Sequence, residues 1–138
     1  MGRAEMNAGL VSAYDLGKDR EYVERIQMAT VQETEHALRK DHGLLGSGRW
    51  WAAVADESIP TRRVEGTITD VRVNSGNWPE FEVEAEGEHS VWALEGELHA
   101  YRVGSAVRVD FVELPFLKPQ AGGDDTVQVV LRILVEAP

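Results

Sequence analysis

The chain has 138 residues, 43% of them hydrophobic, and a formal net charge of −10. That length suits one domain with an extension, and the absence of cysteine excludes disulfides and thiolate metal sites. No apolar run approaches the roughly 20 residues of a membrane-spanning helix, and residues 1–11 lack the basic start and apolar core of a signal peptide, so a cytoplasmic location is expected.

Residues 1–17 hold three glycines and no sustained periodicity, and are expected to form a mobile tail. From Lys18 to Lys40 there is neither Gly nor Pro, and good helix formers dominate. Val23, Ile26, Thr30, Val31, Thr34, Ala37 and Leu38 follow a three-four spacing, which predicts a helix with a narrow apolar stripe. Such a stripe does not hold a lone helix in water. The helix is expected either to cap the rest of the chain or to mediate self-association or a partner contact. Gly43 to Arg49 reads as a flexible link. It lacks the Gly-Lys-Ser/Thr ending of a phosphate-binding loop, and no strand precedes it. Trp50 and Trp51 follow; on a strand they would point to opposite faces, one buried and one exposed. Residues 18–60 thus form a helical extension with a Gly-rich link.

Residues 61–138 are β-rich. In the run Arg63 to Val73, the residues Val64, Gly66 and Ile68 share one face, while Val71 and Val73 carry the apolar character on the other parity. A bulge or sharp coil near Thr69-Asp70 reconciles the two, and Gly66 has no side chain to crowd the bend. Asn74 to Pro79 is a turn cluster. Between Glu80 and Glu86, Phe81, Val83 and Ala85 alternate with four glutamates, a pattern of one buried and one solvated face. Gly87-Glu88 turns the chain into a third strand from His89 to Leu94. Glu95 to Val103 reads as a helical turn closed by Gly104 in the left-handed conformation. Two strands, Ala106 to Leu114 and Thr126 to Glu136, flank a Pro/Gly-rich break.

The parity switch around Gly66 and the stretch Leu98…Tyr101-Arg102-Val103-Gly104…Val107-Arg108-Val109 resemble the oligonucleotide/oligosaccharide-binding (OB) fold, a five-stranded, partly open barrel. The likeness covers about half the chain and is one of architecture. A mainly β chain with an OB-like barrel and an N-terminal helical extension is therefore expected, with an SH3-like barrel as the alternative.

That resemblance implies a ligand lying across strands two and three, between the loops after strand one and before strand five. Those loops carry Trp78 and Leu114-Pro115-Phe116-Leu117-Lys118. Trp78 and Phe116 are the candidate contact rings, with Arg72, Arg108 and Lys118 as the nearby cations; alternatively both rings fold back onto the barrel. Glu80, Glu82, Glu84 and Glu86 line the same surface. From Arg62 onward seven basic residues face fourteen acids, leaving −7. A field of that sign opposes a polyanion and suits a basic protein surface. The reading is a non-enzymatic module that binds a protein partner, with single-stranded nucleic acid as the alternative and a hydrolase cleft as a weaker third. No membrane partner is expected. His36, His42, His89 and His99 lack the spacing of a metal site, and no nucleophile elbow is present, so neither metal nor cofactor is expected.

Overall fold

In the computed structural model, residues 9–73 and 78–138 are described; the expected tail at residues 1–8 and the turn residues 74–77 lie outside them. Six strands are present: β1 (Leu10–Asp15), β2 (Arg62–Arg72), β3 (Glu80–Ala85), β4 (Glu88–Ala93), β5 (Ala106–Pro115) and β6 (Thr126–Glu136). Two helices, α1 (Arg20–Val31) and α2 (Gly48–Ala55), lie between β1 and β2 in the chain. The expected mainly β class with an N-terminal helical portion stands. The strands form one sheet in the order β1-β6-β5-β2-β3-β4. It is open, with β1 and β4 at its edges, and carries six strands where five were expected. The sixth is β1, formed by residues expected to be tail. Both of its faces are partly exposed, so it lacks the alternation by which a half-buried strand is read from sequence.

The chain divides into two compact units. One comprises residues 1–14, 63–110 and 132–138; the other comprises residues 15–62 and 111–131. Strands β5 and β6 each run through both.

In the first unit the core is built from Ile68, Phe81, Val83, Trp92, Val107, Val109, Ile133 and Val135. The parity switch of β2 is a bulge between Ile68 and Asp70: Ile68 pairs with Val83 and Asp70 with Glu82, leaving Thr69 unmatched. The extra residue keeps Ile68 and Val71 both on the core side, opposite Val83 and Phe81. Gly66 is required by close approach, since a Cβ there would lie 2.1 Å from the Glu84 carbonyl oxygen. The β3–β4 hairpin turns at Glu86-Gly87, one residue earlier than expected. Both have positive φ, 54° and 83°, as a two-residue type I′ loop demands. Glu86 therefore leaves the strand. After β4, the helical turn shrinks to a 3-10 segment, Leu98–Ala100. Tyr101 folds onto Phe81 with ring centroids 4.8 Å apart, and its hydroxyl donates to the Glu95 carbonyl at 2.5 Å. Gly104 has φ +91°, as expected, and its N–H donates to the Ile68 carbonyl.

In the second unit, α1 stops at Val31, well short of the expected Lys40. Asp19 caps its start by accepting from the Tyr22 N–H. Its end is dictated by Glu33, whose φ of +53° breaks the helical path. Two threonines compete with helix continuation: the Thr30 hydroxyl accepts from the Leu38 N–H, and the Thr34 hydroxyl accepts from the His36 N–H. Residues 37–39 then run beside residues 115–117, with Arg39 N–H donating to Pro115 and Leu117 N–H to Ala37. Trp50 and Trp51 lie on a helix, α2, rather than a strand. Ser47 decides this by accepting from the Trp50 N–H as N-cap. Trp50 is buried and Trp51 meets it edge-on at 4.9 Å. No helix among the described residues is long and apolar enough to cross a membrane.

Gly66→Ala is expected to destabilise the protein by about 1–3 kcal/mol, because the clash is with backbone and no rotamer relieves it. A lower urea midpoint at unchanged slope in equilibrium unfolding checks this.

Candidate partner-binding face

Alternation along β3 puts Phe81 and Val83 in the core and Glu80, Glu82 and Glu84 on the outer face of the first unit. Pairing then places Arg72 and Ala93 beside Glu80, Asp70 and Val91 beside Glu82, and Thr67 and His89 beside Glu84. The carboxylates are not equivalent. Glu82 accepts from the Thr69 hydroxyl at 2.9 Å and from Arg72 Nη2 at 3.3 Å, with His89 Nδ1 3.6 Å away. Arg72 is held in turn by Asp70, its Nε donating to Oδ2 at 2.9 Å. Glu84 accepts from the Gly87 N–H and so braces the hairpin turn. Asp70, Glu80, Glu82 and Glu84 thus share a single guanidinium, and the face keeps a negative excess.

Large apolar side chains stand beside these acids. Val73, at the end of β2, and Val91, on β4, are exposed. Trp78 is 64% exposed, and its indole N–H donates to the Leu94 carbonyl at 3.1 Å. That bond fixes the ring without hiding it, so little side-chain entropy remains to be lost when a partner covers it.

The other candidate cation of this unit, Arg108, is buried. Its Nε and Nη2 donate to the two oxygens of Asp110 at 3.3 and 3.0 Å. Asp110 is only 1% exposed, and it also accepts from Arg63 Nε at 2.8 Å and lies 3.3 Å from Arg132 Nε. Burial would raise the Asp110 carboxyl, but the hydrogen bonds from Arg108 and Arg63 outweigh it and hold the group below the usual carboxylate range. This four-residue centre was not found from sequence. Residues 63, 108, 110 and 132 have no shared spacing, and Arg108 and Asp110 read as the polar side of a half-exposed strand. An acid among the cations of a two-sided buried strand is the one signal that was available.

Phe116 and Lys118 belong to the second unit, so the five residues singled out from sequence fall in different units. Phe116 is half-buried, bridged to Leu38, and lines a cavity with Tyr22, Ile26, Ala29, Leu38 and Val127. The Lys118 ammonium donates to the Glu33 carbonyl. Arg72, Arg108 and Lys118 are each engaged within the protein. The histidines are dispersed, and no group of three or more His, Asp and Glu side chains converges among the described residues.

Because the folded-state Asp110 value is lowered, its stabilising effect is complete above the unfolded value of about 4 and is lost as pH falls through the folded one. Asp110→Asn is expected to cost about 3–5 kcal/mol at pH 7, by stranding partly buried guanidiniums. The gap to wild type should narrow at pH 3, which urea unfolding at both pH values would reveal.

Comparison with known proteins adds identity to this geometry. No curated protein matches the chain. A family model described as Immunity protein RhsI2 matches residues 11–136. The matched span runs from the second residue of β1 to the last of β6, taking in every strand and both helices. The match identifies no OB-fold family, so the OB-fold likeness stands only as an antiparallel β-sheet architecture. On a match of that extent, the chain belongs to the RhsI2 immunity protein family.

Proposed function

We propose that this chain is a non-enzymatic immunity protein that binds an Rhs toxin through the outer face of β2, β3 and β4. Family membership supports recognition of a protein, and supports neither nucleic-acid binding nor catalysis. The choice of surface rests on Trp78, a large ring held by one hydrogen bond yet left 64% exposed. Tryptophan is enriched among the residues that dominate protein interfaces, where it is desolvated by a rim of polar neighbours. Glu80, Glu82 and Glu84 supply that rim here, and their negative excess suits a partner surface carrying lysine or arginine. Val73 and Val91 extend the apolar part. Neutralisation without chemistry requires that the toxin be bound, and this face is the surface proposed to bind it.

Binding of the Rhs toxin by calorimetry tests this reading. Trp78→Ala is expected to weaken the complex by about 2 kcal/mol or more, with thermal unfolding unchanged. Glu80→Lys is expected to slow association and to flatten its dependence on salt. Wild-type affinity in both variants would exclude this face.

A further inference from the structure

The Asp110 centre gathers three guanidiniums around one carboxylate. Strand β5 lies between β6 and β2 in the sheet, and each of the three sends arginine to the same carboxylate. Asp110 has room for about four donors; it accepts from Arg63 Nε, Arg108 Nε and Arg108 Nη2, and Arg132 Nε lies 3.3 Å away as an ion pair. Three guanidiniums thus surround one buried acid. Glu65 is ion-paired with the Arg63 guanidinium from the other side, its Oε1 3.6 Å from Arg63 Nη1.

Arg63 and Arg132 reach the surface, with 42% and 46% of their side chains exposed. Arg132 makes no hydrogen bond among the described residues; it meets Asp110 by charge alone. Arg63 spends only its Nε on Asp110. Arg132 therefore keeps its paired Nη groups, and Arg63 its Nη2, for another acceptor, and a planar guanidinium matches a carboxylate. Arg108 is different: it is buried and doubly bonded, and acts as the anchor. The surroundings disfavour a polyanion, because the same unit carries the acidic row on β3. A single carboxylate on a folded protein escapes that repulsion, and its partner surface can set basic groups against the acidic row.

We propose that Arg63 and Arg132, held by Asp110, form a carboxylate-binding site that receives an aspartate or glutamate side chain of the toxin. The identity of the occupant rests on the function proposed above; the site itself does not. Together the two patches make a bipolar surface that accepts a partner carrying acid and base in matching positions.

Two measurements test this. In the first, arginine Nε–Hε resonances are followed by NMR during titration with sodium acetate and, separately, acetamide. Saturable shifts of Arg63 and Arg132 with acetate alone, absent at the exposed Arg20 and lost from Arg63 in Arg132→Gln, are expected. Equal responses to acetamide, or to acetate at Arg20, would overturn the site. In the second, toxin affinity is compared for wild type, Arg132→Lys and Arg132→Glu, with thermal unfolding as the control. A loss of about tenfold or more in Arg132→Glu and a smaller one in Arg132→Lys are expected. Unchanged affinity in Arg132→Glu, with wild type binding, would remove the toxin as occupant. Absence of wild-type binding would instead defeat the proposed function and leave the acetate result to decide the site.

Discussion

The Asp110 carboxylate ties β2, β5 and β6 together. It is buried, charged and ringed by Arg63, Arg108 and Arg132, an arrangement that is costly unless every lone pair is met. Here three hydrogen bonds and a further ion pair meet the carboxylate, and no buried side-chain polar atom among the described residues lacks a partner. The consequence is positional. A two-residue slip keeps every apolar side chain on its own face, whereas one carboxylate reached from three strands specifies which residues lie side by side. That requirement explains why β5 carries charge although nearly all of its residues are buried.

The bulge at Thr69 meets a second constraint, imposed by β3. Phe81 and Val83 need apolar partners on the same side, and strict alternation in β2 would give Val71 the wrong parity. One unmatched residue corrects the phase. It also brings Asp70 and Arg72 to the outer face, where they meet Glu82. The core and the candidate binding face are thus set by the same irregularity, and Gly66 permits it by letting the Glu84 carbonyl approach.

For a member of an immunity protein family, a surface that is rigid and charged in two senses has an evident use. Rigid anchors such as Trp78 limit the entropy lost on association. Opposite charges in fixed positions reject partners that carry the same charges in another order, since a like-charge juxtaposition is penalised more heavily than a mere mismatch. On the proposed reading, discrimination and affinity would come from one face.

The strands of the β-rich half were legible because one of their faces is buried, so that alternation survives in Glu80–Ala85 and Thr126–Glu136. The bulge was legible for the same reason: Ile68 and Val71 break the period where the backbone does. The helix was legible in kind and not in length. Its stripe continues to Leu38, but Thr30 and Thr34 turn the backbone aside through hydrogen bonds that no periodicity encodes. Strand β1 was illegible because an exposed edge strand takes its order from β6. The candidate binding residues divide in the same way. An indole in a polar turn singled out Trp78 but left its exposure open until the fold placed it, and the acidic row followed from simple alternation. The pairing of Arg108, the departure of Glu86 and the meeting of Arg63, Asp110 and Arg132 did not, because each depends on residues brought together across strands or on a turn's φ angles. The sequence by itself determined which side chains are apolar and with what local period. Only the tertiary structure decided which charges share a neighbour, since a Coulomb partner is chosen by distance in space and leaves no trace in spacing along the chain.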